Sequence, residues 1–393
     1  MNRPLVRFLA HGAERSGPPI YLLRLLRYWF ANPARFDTEV VIARPGELVS
    51  QFAGLTTTSV ARLDPRSPEM SFRSFARALH AEAVGQRAVG IASRARVSGN
   101  RFRAAQPQPD ITIVNGATVA TVELLRHLRP SGQVLTIAHE LSTGWFGNLK
   151  RVDREFLLAK TDRFLAVSEA VRNFLVSELG VSPTRVSMIH PPVDLSEFEG
   201  LDLMHKSTDS LHVGGSGMTD WRKAPEIWLR IAAELKDTLP KKNIRFTWLG
   251  GEHPDSAAFW PLEHEMQQLG LAGQVTFTGQ VASTAATMSK FDVFVSTARE
   301  DAYPLACAEA ISLGVVVVGF NSGGLAEMAQ ESGCAVVLPY PKQQNITEVV
   351  AELLGDSDRR SRLGKQGIEF GRSQLDVSVI APAVEDWILG GAS

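Results

Sequence analysis

Cysteine is nearly missing from this chain: 393 residues hold two, Cys307 and Cys334, each inside an apolar stretch. Such usage argues against a disulfide framework or a cysteine metal site and reads as two buried packing thiols. Long hydrophobic runs are missing as well. The longest, around Leu313 to Phe320, is broken by Gly314 and Gly319 and falls far short of the roughly 20 residues a spanning helix needs. No transmembrane helix is expected. The amino terminus enters the strand-like Leu5-Val6-Arg7-Phe8-Leu9-Ala10 almost at once, without the apolar core and small-residue cleavage site of a signal peptide. A cytoplasmic protein is the expectation. Internal repeats and low-complexity tracts are also absent, and 44% hydrophobic residues over this length suit a folded protein of two domains.

Net charge is close to zero at −1, but its distribution is uneven. Residues 1–200 carry 25 Lys and Arg against 18 Asp and Glu, and the remainder carries 16 against 24. Much of the excess lies in Arg62, Arg66, Arg73, Arg77, Arg87, Arg94, Arg96, Arg101 and Arg103. A solvated arginine face and a docking surface for an anionic acceptor or an anionic membrane explain this run equally well. Nucleic-acid binding is disfavoured, because no aromatic-basic motif accompanies the arginines and the second half is acidic.

What is present is an alternation of short β-rich runs with helical stretches. Leu5–Ala10, Val40–Ala43, Ile111–Val114, Val134–Ala138 and Phe164–Val167 are the expected strands of the first half. Leu211–Val213, Ile244–Leu249, Val275–Phe277, Val293–Val295, Val315–Val318 and Ala335–Leu338 are those of the second. Continuous apolar strands suit parallel sheets covered on both faces. The pattern predicts an α/β protein of two doubly wound domains, each binding ligands beyond the carboxyl ends of its strands, with a cleft between them. The boundary is expected between His190-Pro191-Pro192-Val193-Asp194 and Ser210, with a linker near residues 195–209. This gives domains at 1–200 and 201–375, and an amphipathic helix at 376–393 that could pack back on the first.

The most informative segment runs from Ser296 through Thr297-Ala298-Arg299-Glu300-Asp301-Ala302-Tyr303-Pro304-Leu305 to Glu309-Ala310, a strand end leading into a helix. Pro304 suits the first helical turn, where its missing N–H costs nothing. The N–H groups around Ala302, Tyr303 and Leu305 then form a site for anionic or hydroxyl-rich groups. Asp301 and Glu309 could accept hydrogen bonds from sugar hydroxyls, or they could be a cap and a surface residue. Spacing alone leaves both open.

A second segment, Val213-Gly214-Gly215-Ser216-Gly217-Met218-Thr219-Asp220-Trp221-Arg222-Lys223-Ala224-Pro225, reads as a strand, a flexible loop, two cations and a helix start. Cations at a helix start oppose its dipole unless an anion is bound, so Arg222 and Lys223 are candidates to hold a diphosphate. The loop lacks the third glycine of the dinucleotide fingerprint, having Asp220 in its place, which disfavours a dehydrogenase.

These segments resemble the retaining glycosyltransferases of family 4, which have the GT-B fold. That family pairs an acidic residue with a glutamate, seven residues lying between them, ahead of a small-residue helix and an apolar strand. Here the pair is Asp301 and Glu309, followed by Gly314 and Val315 to Val318. Asp301 stands where glutamate is more usual, and Glu300 beside it leaves the register open by one. Ser322-Gly323-Gly324-Leu325-Ala326-Glu327 is similar to the family's glycine-rich turn. Ala224 stands where glycine is frequent, and the arginine usual about five residues before the lysine is absent, with Arg222 as a substitute.

The resemblance implies a sugar-nucleotide donor, UDP- or GDP-linked, held without a metal or other cofactor. Arg222 and Lys223 would stabilise the departing diphosphate, Asp301 and His139 would position the sugar, and Glu309 the ribose, with retention of configuration. Gly17, in the His11-to-Pro19 loop, matches the glycine loop that closes over donor phosphates. Gln280 and Val281 fall where backbone groups meet the nucleobase. A plain turn explains the Gly17 loop and a satisfied core histidine explains His139 nearly as well. Ser168-Glu169 reads as a helix cap, Asn115-Gly116 as a turn, and Asp356-Ser357-Asp358 as surface. The acceptor implied is a glycan, a lipid-linked molecule or a small molecule, and a lipid-linked glycan at the inner face of a bacterial membrane would suit the basic first domain. The alternatives are a catalytically silent GT-B binding subunit and another GT-B enzyme of the epimerase or phosphorylase type. Oligomeric state is not legible.

Overall fold

The computed structural model describes residues 3–61, 108–203 and 210–390. The arginines from Arg62 to Arg103 lie outside them. The described residues form two compact units. The first takes the described chain up to Val167, Arg172–Ile189, and the residues from Ala381 onward; the second takes Ser168–Val171 and His190–Ile380. The division at Ile189 precedes the expected linker, and Leu195–Phe198 is a 3-10 turn of the second unit, N-capped by Asp194. Residues 204–209, the end of that stretch, lie outside the described residues.

The first unit is built on a seven-stranded sheet of β1 (Leu5–Ala10), β2 (Asp37–Ile42), β3 (Thr57–Val60), β4 (Ile111–Asn115), β5 (Gln133–Ala138), β6 (Arg163–Ala166) and β7 (Val186–Met188). All pairs are parallel, in the order β3-β2-β1-β4-β5-β6-β7. All five residues of β4 are buried, as the continuous Ile-Thr-Ile-Val run predicts for a strand covered on both faces. One ion pair is buried in the sheet: Arg7 on β1 and Glu39, its register partner on β2, meet at 2.6 Å. The end of the chain adds a helix, Val377–Ile388, whose later part belongs to this unit. Arg163 donates to the carbonyl of Trp387 at 2.7 Å and lies over its indole, while Val384, Trp387 and Ile388 are buried.

The second unit has a six-stranded parallel sheet of β8 (Leu211–Ser216), β9 (Ile244–Leu249), β10 (Val275–Phe277), β11 (Val293–Ser296), β12 (Val316–Phe320) and β13 (Ala335–Leu338), ordered β10-β9-β8-β11-β12-β13. Trp228 on helix Pro225–Thr238 packs edge-on against Trp248 of β9 and Phe277 of β10, and forms the aromatic centre of the core. Cys307 and Cys334 are both buried, and burial pushes each thiol up to about 12, so both are packing groups. Ser168 accepts the N–H of Val171, as a cap should. Asp356 caps helix Ser357–Phe370 by accepting the N–H of Arg359.

In each sheet the strand order reverses once, between β1 and β4 in the first and between β8 and β11 in the second. Parallel α/β sheets gather ligands at such points, outside the carboxyl ends of the strands. The residues following β1, β4, β8 and β11 are therefore where chemistry is to be sought.

Candidate functional site

In the second unit β8 continues through Gly214, Gly215 and Ser216, so two glycines read as loop belong to the strand. Aromatic packing explains them. A Cβ on Gly214 would stand 2.0 Å from the ring of Phe291, and one on Gly215 would stand 2.7 Å from the indole nitrogen of Trp228. The loop begins at Gly217, whose φ of 146° lies in the region that favours glycine. It closes when Asp220 accepts the N–H of Lys223 through its side chain and that of Ala224 through its carbonyl. Thr297, just past β11, is buried and donates to the carbonyls of Lys223 and Ala224, each at 3.0 Å, which ties the cation loop to the carboxylate loop.

Three of the expected residues meet here. The Lys223 ammonium pairs with Oδ2 of Asp301. The Arg222 guanidinium stands 3.7 Å from the same oxygen and donates to the carbonyl of Glu300 at 3.2 Å. It is the side chain of Asp301 that the two cations face, while Glu300 offers Arg222 its main-chain carbonyl. Arg299 braces the arrangement from outside: its N–H bonds the carbonyl of Arg222, its guanidinium pairs with Glu226 at 2.6 Å, and it lies over the exposed ring of Trp221.

The carboxylate loop rests on the turn after β12. Asp301 donates its N–H to Ser322 and accepts that of Gly324 at 3.1 Å. A side chain on Gly324 would stand 2.4 Å from the carbonyl of Ala302, so the close approach requires glycine. Ala302 and Tyr303 are buried, and the described residues supply no acceptor for their backbone N–H groups. Pro304 is the N-cap of helix Leu305–Ser312, one residue ahead of its expected place, because its ψ of 98° is extended. Glu309, half-buried on that helix, lies 3.4 Å from the hydroxyl of Thr284, in the segment that follows Gln280 and Val281. Gln280 itself is exposed.

The first unit assembles a separate group at the ends of β1, β4 and β5. Asn115, expected in a turn, is instead the buried last residue of β4. Its amide donates to the carbonyl of Pro18 at 2.9 Å, which turns its oxygen towards Nε2 of His139 at 2.8 Å. A carbonyl oxygen only accepts, so the proton of His139 sits on Nε2 and Nδ1 is the ring's acceptor. Burial, helped by the nearby His11, pushes His139 down to about 3, and the imidazole is neutral at physiological pH. Tyr21 packs edge-on against the ring at 4.9 Å between centroids. Gly17 is the exposed first residue of helix Gly17–Ala31, next to the Pro18 carbonyl that fixes Asn115. In the same loop His11 pairs with Glu14 at 3.0 Å, and that hydrogen bond holds the Glu14 carboxyl below the usual range.

Chemically, the second unit offers two cations, free N–H donors and two carboxylates, a set suited to a polyanion joined to polyols. The first offers a neutral histidine acceptor in fixed orientation. Sequence reasoning gave no role to Asn115, Thr297 or Thr284, although Thr297 lies inside the segment that carries Asp301. Asn115 could have been found only once β4 was known to end at a switch point.

Comparisons with known proteins bear on the family and the fold. A model described as Glycosyltransferase Family 4 matches residues 53–197, and one described as Glycosyl transferases group 1 matches residues 207–370. A D-inositol 3-phosphate glycosyltransferase of Paenarthrobacter aurescens is 25% identical over 52% of this chain and 51% of its own. A GDP-mannose-dependent alpha-(1-6)-phosphatidylinositol monomannoside mannosyltransferase of Mycobacterium tuberculosis is 32% identical over 31% of this chain and 34% of its own. The chain thus spans about half the length of the first of these relatives and a third of the second. The solved structure of Anabaena HepE in complex with UDP-glucose superposes with a TM-score of 0.75 over 98% of this chain and 100% of that one, at 13% identity. Matched in both halves and sharing that fold, the chain belongs to glycosyltransferase family 4 and has the GT-B fold.

Proposed function

We propose that this protein transfers a sugar from a nucleoside-diphosphate sugar to a hydroxyl of an acceptor, with retention at the anomeric carbon. The observation that carries the reading is the convergence of Arg222 and Lys223 on Asp301 at the β8–β11 switch point, beside the N–H groups of Ala302 and Tyr303. As the bond between the anomeric carbon and the diphosphate breaks, negative charge grows on the leaving group. The two cations and the N–H groups of Ala302, Tyr303 and Leu305 are there to stabilise it, the kind of preorganised electrostatics that is often the largest catalytic term. No metal is assigned a part. Glu309 takes the ribose hydroxyls, Asp301 and the Nδ1 of His139 take sugar hydroxyls, Gln280 and Val281 meet the base through their main chain, and Gly17 closes over the phosphates.

The acceptor proposed is a polyol or glycan, free or lipid-linked, in keeping with relatives named for inositol phosphate and phosphatidylinositol mannoside. No helix among the described residues is long and apolar enough to cross a membrane. Peripheral contact with a membrane's inner face is part of the proposal, and sedimentation with liposomes tests it: no preference for anionic over neutral lipid removes it.

Calorimetric titration with UDP and with GDP, each with and without EDTA, tests the donor site, because relatives and structural neighbours are named for both bases. Chelator-insensitive binding of one nucleotide, weakened at least about tenfold by Lys223→Ala, is the expected result. Absence of binding to either nucleotide overturns it, and tight binding without any sugar transfer favours a silent binding subunit.

A further inference from the structure

Tyr303 is almost fully buried, yet its hydroxyl makes no hydrogen bond among the described residues. Packing alone holds the ring. One of its faces is covered by the imidazole of His190, with centroids 4.7 Å apart and planes inclined by 24°. His190 is in turn held by a hydrogen bond to Glu331 of helix Gly324–Ser332, with Glu327 of the same helix facing its other nitrogen. Its Nδ1 lies 3.5 Å from Glu327 and its Nε2 lies 3.1 Å from Glu331. Glu327 is itself anchored, because its other oxygen accepts the N–H groups of Glu169 and Ala170 at 2.9 and 3.3 Å. A chain of fixed contacts therefore runs from this helix through His190 to the Tyr303 ring, and Tyr303 carries one of the two buried N–H groups that have no acceptor.

We propose that His190 is a positioning residue: its stacked ring holds Tyr303, and with it the N–H groups of Ala302 and Tyr303, in the conformation that a donor diphosphate meets. The proposal rests on the reading of this loop as the diphosphate site. His190 touches no reacting atom and acts through the ring it covers. The face of the imidazole does the holding, while the hydrogen bond to Glu331 sets its angle. A flat apolar ring in its place preserves the function, and a residue without a ring does not.

The test uses the full chain with His190→Phe, His190→Ala and His190→Gln, the last keeping a side-chain donor for the carboxylates. Two readouts are compared: deuterium uptake of the peptide covering residues 300–308 without nucleotide, and the Kd for whichever of UDP or GDP the wild type binds. Uptake at least about fivefold faster and binding about tenfold weaker are expected for His190→Ala and His190→Gln, with His190→Phe within about twofold of wild type in both. Wild-type uptake in His190→Gln, or a His190→Phe variant as fast as His190→Gln, overturns the proposal. Should His190→Ala fail to fold, the comparison of Gln with Phe decides alone. Uptake that responds as expected in a protein binding neither nucleotide keeps the positioning role and removes the diphosphate reading.

Discussion

At the scale of single residues, the site is organised by competition for charge. Asp301 neutralises part of the field of Lys223 and Arg222 that a diphosphate would use. On the proposed function, Asp301→Asn should bind the preferred nucleoside diphosphate several-fold more tightly, by roughly 0.5–1 kcal/mol, while transfer falls at least about tenfold through loss of the proposed ionised acceptor for the sugar. Titration and a transfer assay on the same variant separate the two effects. Glu327 offers a prediction about pH. Burial raises its carboxyl to about 7, so between the ordinary carboxylate range and pH 7 the folded state keeps a proton that the unfolded chain has released. Stability from this group is therefore full below about pH 4.5 and lost as pH rises through 7. Glu327→Gln keeps an acceptor for the two N–H groups and removes the buried charge. It should melt as wild type does at pH 5 and gain about 1–3 kcal/mol over wild type at pH 8, measured by denaturation at both values. That Arg222, Lys223 and Asp301 come together was legible in part: the cations stood out at a helix start, whereas Asp301 was singled out by the family resemblance and not by its spacing. Asn115 was not, because an Asn-Gly pair reads as a turn and only the sheet order shows that it ends a central strand.

At the scale of elements, eleven strands were legible as short apolar runs. β3 and β7 were not, because neither carries an apolar run, unlike the edge strands β10 and β13. Both are edge strands with one neighbour: Thr57–Val60 is polar and largely half-buried, and Val186–Met188 has three residues of which one is buried. Edges do not need the continuous hydrophobicity on which such a reading depends. Ala224 shows the opposite case, in which a local rule is broken in the middle of the site. It is buried with a φ of 52°, a left-handed conformation that costs a residue with a side chain roughly 1–2 kcal/mol. The preference for glycine at the matching place in the family thus has a backbone cause. Ala224→Gly should stay within about 1 kcal/mol of wild type, because relief of strain is offset by a lost buried methyl and a more flexible unfolded chain. Ala224→Val should cost at least about 2 kcal/mol and displace the Lys223 loop. Urea denaturation ranks the three proteins.

At the scale of the whole molecule, the contact units are not continuous pieces of sequence. The first unit is completed by residues that come after the second, with Val384, Trp387 and Ile388 buried and Arg163 bonded to the carbonyls of Trp387 and Ile388. Removal of residues 381–393 should therefore destabilise the first unit by several kcal/mol, since burying one large apolar side chain contributes about 1.5–3 kcal/mol. A lower melting temperature with Lys223-dependent nucleotide binding retained is the expected pattern; an unchanged melting temperature would count against it. The same discontinuity governs how such a protein can be recombined with its relatives. A single crossover anywhere in the gene separates Arg163 from Trp387 or cuts a unit in two. Grafting the second unit from a relative calls for paired junctions near Ile189 and Ile380, with Ser168–Val171 matched to the incoming Glu327 so that its carboxylate still finds the two N–H groups it accepts.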